Sequence, residues 1–221
     1  MALNTKHIKV SEGKLNKTIN PGNVEAKIYD LSLKAGYKDQ AKDYDDDPLY
    51  LVFHVETAPI DDFEGFFIDP SDESKGRHLG QVGKVRNSQW ACETKTLPSG
   101  IEINRDDSIL KMLMTVAKAQ DRVEALNEIN ADTIEEFVEK AKEVICNDIF
   151  LNFCIAGKEY RNKEDYIAYD LYLAKSENKK YSITNNPNTL LAFNETKHIL
   201  PEKKKVTNTV SEFEPTGDIP F

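Results

Sequence analysis

Apolar and polar residues alternate along two stretches of this chain, and apolar residues recur at helical spacing between them. Val24, Ala26 and Ile28 alternate, and then the apolar parity moves to Tyr29, Leu31 and Leu33. That predicts a strand over residues 24–33 with a bulge or sharp bend where the face changes. Leu49, Leu51, Phe53 and Val55 alternate against Tyr50, Val52, His54 and Glu56, which predicts a half-buried strand over 49–56. Further extended chain is expected over 63–68 and 80–96, with Gly65, Gly76, Gly80 and Gly83 as turn or bulge positions.

The period then changes. Asp106, Asp107 and Ser108 offer N-caps to a stripe of Ile109, Leu110, Leu113, Val116 and Ala117, a helix that can run on through Val123 and Leu126. Thr133 and Glu136 form a capping box before Ile134, Val138, Ala141 and Ile145. Alternation returns at Ile149, Leu151, Phe153 and Ile155 and again at Ile167, Tyr169, Leu171 and Leu173, with a polar loop predicted over 157–165.

Three strands, a helical insertion over 106–147 and two strands match the order of a mainly β OB-fold, a five-stranded Greek-key barrel with helices between strands 3 and 4. An α+β sandwich gives a similar string. The expected organisation is a basic N-terminal arm over 1–20, the barrel domain over 21–200, and a linker and acidic tail over 201–221.

Composition narrows the class. The 221 residues carry a formal charge of −9, which excludes whole-surface attraction to nucleic acid or anionic lipid, so any anion-binding face must be local. The charge is in fact segregated: residues 1–20 are net +3 and 75–105 net +4, whereas 106–148 are net −6. The three cysteines (Cys92, Cys146, Cys154) and four histidines (His7, His54, His78, His198) show no metal-ligand spacing, so neither a zinc site nor any other cofactor is expected, and a reducing, cytoplasmic setting fits. No stretch is long and apolar enough to suggest a membrane partner.

The chain ends Glu212-Phe213-Glu214-Pro215-Thr216-Gly217-Asp218-Ile219-Pro220-Phe221, in a final stretch with no Lys or Arg after residue 205. This resembles the C-terminal tip of bacterial single-stranded-DNA-binding proteins, which finish in the same Asp-Ile-Pro-Phe after an acidic segment. A terminal Phe carries a ring and a free carboxylate on one residue, so a partner can bury the ring and pair the carboxylate with Arg or Lys. The resemblance implies that Asp218, Ile219, Pro220 and Phe221 recruit replication, recombination or repair enzymes. The acidic run is sparser than in that family, the family's usual opening sequence is missing and the helical insertion is longer. The chain therefore looks more like the divergent, phage-encoded members, acting in a bacterial cytoplasm.

Sequence-independent binding of single strands needs cations for phosphates and aromatic faces for bases. Tyr50 and His54 share the outward parity of the second strand, and Lys84, Arg86 and Trp90 share one parity in the next, with Lys75 and Arg77 on a flanking loop. Lys158, Tyr160, Arg161 and Lys163 lie between the last two strands, and Lys34, Tyr37 and Lys38 follow the first. These are the candidate DNA-binding residues, and a homo-oligomer would multiply both DNA contacts and tails. The alternative is an interaction or assembly protein whose tail docks on a host protein without touching DNA. Three carboxylate clusters (Asp43, Asp45, Asp46 and Asp47; Asp61 and Asp62; Asp106 and Asp107) could suggest a Mg²⁺ nuclease, but no Lys or His accompanies them at a telling distance, so no enzyme is expected.

Overall fold

The computed structural model describes residues 17–35, 49–68, 71–87, 94–96, 98–163, 167–176, 182–186 and 199–201. The described chain is mainly β. Its elements begin with β1 (Gly22–Ala35), β2 (Leu49–Thr57), a small hairpin of β3 (Phe66–Phe67) and β4 (Arg77–His78), and β5 (Val82–Arg86). A ribbon of β6 (Thr94–Thr96) and β7 (Glu102–Asn104) leads into α1 (Arg105–Ala119), α2 (Val123–Asn127) and α3 (Ile134–Ile145). After the helices come β8 (Leu151–Arg161), β9 (Ile167–Leu173), β10 (Ile183–Thr184) and β11 (Ile199–Pro201).

Seven of these strands form one mixed sheet that curls partly into a ring. Hydrogen-bonded neighbours run β1–β2–β5–β9–β8, and β8 pairs back with β1, while β10 and β11 add to β8. All links among the five ring strands are antiparallel except β5–β9, which is parallel and only two residue pairs long, Val85↔Leu171 and Arg86↔Tyr172. Beside this thin junction residues 17–20 run along β5: the Ile19 amide donates to the Val82 carbonyl, the Val82 amide to that of Lys17, and the Ile19 side chain is buried. Gly83 lies close to its neighbours here: a Cβ would stand 3.2 Å from both the Ile19 and Leu171 side chains, which would have to give by a few tenths of an ångström.

The parity change in β1 is a real irregularity. Ile28 pairs with Val55 but Asp30 with His54, leaving Tyr29 as the extra residue, so Ala26 and Ile28 before it and Leu31 after it all reach the core. Register then builds an inward row, Leu31–Phe53–Val85–Leu171, across four strands. These side chains are almost fully buried, and on the helical side the core continues through Ile109, Leu113 and Val116 of α1 and Val138, Ala141 and Ile145 of α3.

The helices differ from expectation in two places. The α1 cap is Asn104, whose side chain accepts from the Asp107 amide, so Asp106 and Asp107 occupy the first turn, where carboxylates favour the helix dipole. Nor does α1 run on into Val123 and Leu126: it stops at Gln120, Asp121 takes a left-handed φ of 57°, and α2 starts afresh. In α3 the Thr133 hydroxyl does accept from the Glu136 amide at 3.2 Å, as the capping box requires, while the Glu136 carboxylate accepts from the Asp132 amide. Buried Gln120 donates to the last-turn carbonyl of Ile145, tying the end of α1 to the end of α3.

The predicted loop over 157–165 is largely strand: β8 continues through Gly157 to Arg161, paired with β9 down to Arg161↔Ile167. Among the described residues no helix is long and apolar enough to cross a membrane.

Candidate nucleic-acid interface

The inward row fixes what faces outward. One residue further along each strand, register aligns Ser32–Val52–Arg86–Tyr172 across β1, β2, β5 and β9. On one side of that row lies Lys34–Tyr50, and on the other Asp30–His54–Lys84. On the β8–β9 hairpin the same face carries Lys158 opposite Asp170. An open groove of about 610 Å³ follows, lined by Lys34, Tyr50, Lys84, Arg86, Lys158, Tyr160 and Arg161 together with Val52, Tyr169, Asp170 and Leu171. Five cations and three tyrosines thus converge from five strands far apart in sequence. Lys84, Lys158, Tyr160 and Arg161 are exposed, and Tyr50 and Tyr169 are half-buried.

Arg86 is held in place. Its Nη2 donates to Asp170 Oδ2 at 3.1 Å, its Nε lies 3.3 and 3.4 Å from the two carboxylate oxygens, and its guanidinium carbon sits 5.1 Å from the centre of the Tyr172 ring. Burial raises the Tyr172 phenol, with the Arg86 charge opposing the rise and Asp170 adding to it.

His54 adjoins the groove without lining it. Its Nε2 shares a hydrogen bond of 2.8 Å with the Ser32 hydroxyl, and its Nδ1 is 4.0 Å from Asp30 Oδ2. Burial pushes the imidazole below its ordinary value, Asp30 opposes this, and Lys84, Lys34 and Lys142 reinforce it. Because the folded pKa is lowered from about 6.5, the unfolded chain takes up the proton first. The stability that neutral His54 supports is therefore present above about pH 6.5 and lost as pH falls through the folded value. Urea midpoints measured from pH 7 to pH 5 should fall less steeply in His54→Asn than in the wild type, and parallel curves would refute this.

The other sequence candidates are placed apart or lie outside the described residues. Arg77, on β4, donates to the Glu64 carbonyl at 2.6 Å and covers the Phe67 ring at 4.5 Å, and it lines a separate opening with Lys27 and Phe150. It clasps its own hairpin. Lys75 closes the short 3-10 turn Glu73–Lys75, and Lys163 is exposed in the β8–β9 turn. Tyr37, Lys38, Trp90 and the tip Asp218, Ile219, Pro220 and Phe221 lie outside the described residues, as do Asp43, Asp45, Asp46 and Asp47.

His78 is buried between Tyr29 and Phe66, with Nδ1 3.2 Å from Glu56 Oε2, and the other Glu56 oxygen accepts from the amides of Leu79 and Gly80. This arrangement anchors the excursion after β2 to the sheet. Asp61 and Asp62 form a turn, and among the described residues no group of three or more His, Cys, Asp or Glu could hold a metal ion. Burial pushes the Cys146 and Cys154 thiols up to about 12 and about 11, so neither is a thiolate nucleophile at neutral pH.

Sequence reasoning misses Tyr169, Asp170 and Tyr172. Tyr169 belongs by parity to the apolar set of its strand, and the other two become visible only with the β8–β9 register. Comparison with family models, with curated proteins and with solved structures finds no match to this chain.

Proposed function

We propose that the protein is a non-catalytic binder of single-stranded DNA, built on an OB-type barrel. The observation that carries this reading is the groove: Lys34, Tyr50, Lys84, Arg86, Lys158, Tyr160 and Arg161 line one opening. Cations spaced along a trough with aromatic side chains among them are what a flexible polyanion with stackable bases requires. The five-strand ring, with its helices between the third and fourth ring strands, supports the OB assignment. Unpaired bases can turn in to stack on tyrosines within such a groove, which the paired bases of a duplex cannot do without being unstacked.

More particularly, the protein acts as a divergent member of the single-stranded-DNA-binding class, coating exposed strands during replication, recombination or repair. Its terminal Asp218-Ile219-Pro220-Phe221 recruits the enzymes that work on them. The support for this second step is the terminal motif alone.

Fluorescence anisotropy with a labelled oligo-dT of about 15 nucleotides, near the upper end of site sizes for one such barrel, tests the reading. Single strands should bind more tightly than duplex, and log K should fall with log salt by about 0.7 for each phosphate neutralised. Absence of binding, preference for duplex, or cleavage of the oligonucleotide in Mg²⁺ would overturn it.

A further inference from the structure

We infer that Asp170 is a built-in stand-in for a phosphate, occupying Arg86 until a strand displaces it, and that it thereby determines which anions the groove accepts. The inference rests on the single-strand-binding reading above.

Asp170 is the one carboxylate among the described residues lining the groove. A carboxylate there opposes an anionic ligand, yet it is aimed at the guanidinium: three N···O distances of 3.1 to 3.4 Å join Arg86 Nε and Nη2 to its two oxygens. Two coplanar oxygens facing a guanidinium edge reproduce the way two phosphate oxygens would meet the same fork. With its side chain half exposed, at 51%, Asp170 can swing away, whereas Arg86, exposed only 20%, lies over the Tyr172 ring.

The surroundings supply both halves of an exchange. The Tyr172 ring backs the guanidinium whichever anion it faces, so Arg86 keeps its place when Asp170 leaves. Lys158 stands directly opposite Asp170 on β8, within reach of the freed carboxylate. A lone phosphate that takes Arg86 must break an ion pair to make one, and gains little. A strand whose neighbouring phosphates already meet Lys34 and Lys84 presents the competing phosphate at high local concentration and carries the exchange through. Asp170 thus favours polynucleotide over free nucleotides and other small anions.

The test compares wild type, Asp170→Ala, Arg86→Gln and the double variant by anisotropy on labelled oligo-dT, with thymidine monophosphate as competitor. Asp170→Ala should bind oligo-dT about tenfold more tightly, on the scale of one charge-assisted hydrogen bond to phosphate. It should also become sensitive to the monophosphate. In the Arg86→Gln background the same change should shift affinity less than about twofold, because the effect passes through Arg86. Unchanged or weaker binding by Asp170→Ala overturns the inference, as does an equal gain with Arg86 absent, which would mark simple removal of a negative charge. Wild type that fails to bind oligo-dT overturns the underlying reading as well, so the two failures are told apart by the wild-type titration.

Discussion

Replacing Lys34, Lys84 and Lys158 together by alanine should weaken oligo-dT binding by about two orders of magnitude, at roughly 1 kcal/mol for each lysine–phosphate pair abolished. The three side chains come from β1, β5 and β8 and meet only because the sheet curls, so no local segment is disabled as a unit. The folded state should be little affected, since Lys84 and Lys158 are exposed at the groove and Lys34 is exposed near the end of its strand. The salt dependence gives the sharper check: each such pair abolished takes about 0.7 from the slope of log K against log salt, so the triple variant's slope should be shallower by about 2. A hundredfold weakening with an unchanged slope would mean that the lysines act through structure. Unchanged affinity would place the DNA elsewhere, and with it the function proposed for this groove.

Much of the frame of this site was legible in the chain because one face of each strand is buried. Leu51, Phe53 and Val55 must point inward, so Tyr50 and His54 must point out, and the same logic puts Lys84 and Arg86 on one side of Val85. The bulge at Tyr29 could be read because two buried residues, Ile28 and Leu31, stand three apart in a strand, and only an extra residue reconciles that spacing with a period of two. The start of α3 was legible for a comparable reason, since its cap bonds are local and its buried stripe is unbroken.

What could not be read is whatever depends on pairing between distant strands or on chain that leaves the core. From Lys158 to Arg161 β8 extends past the ring as a polar hairpin with no buried face, so its alternation vanishes and the segment reads as a loop. Lys34 and Lys158 stand more than a hundred residues apart, and only the pairing of β8 and β9 with the rest of the curled sheet brings them to one opening. Asp170 is overlooked by any search for cations, although its register opposite Lys158 makes it the groove's internal counter-charge. Arg77 errs the other way: its positive charge suggests DNA, but the Phe67 ring and the Glu64 carbonyl engage it. A basic residue in sequence is thus a candidate only until its neighbours are known.

The largest fall in stability should follow Phe53→Ala, at about 3 to 5 kcal/mol. Phe53 is fully buried in β2 and lies between Leu31 of β1 and Val85 of β5, so its ring joins three strands at the centre of the inward row. Truncation would leave a hole bounded by strands held on both sides by backbone hydrogen bonds, and such walls collapse poorly. For a domain whose total stability is of order 5 to 15 kcal/mol, a change of that size moves the urea midpoint down by a large fraction of its wild-type value. Phe66→Ala is the matched control, because that ring is half-buried in the short β3–β4 hairpin and its removal should cost clearly less. At a temperature where Phe53→Ala remains mostly folded, its affinity for oligo-dT should match the wild type, since Phe53 faces away from the groove. Equal destabilisation by the two variants would mean that the ring of strands is not the unit carrying the fold's stability, and the groove it shapes would then lack a rigid frame.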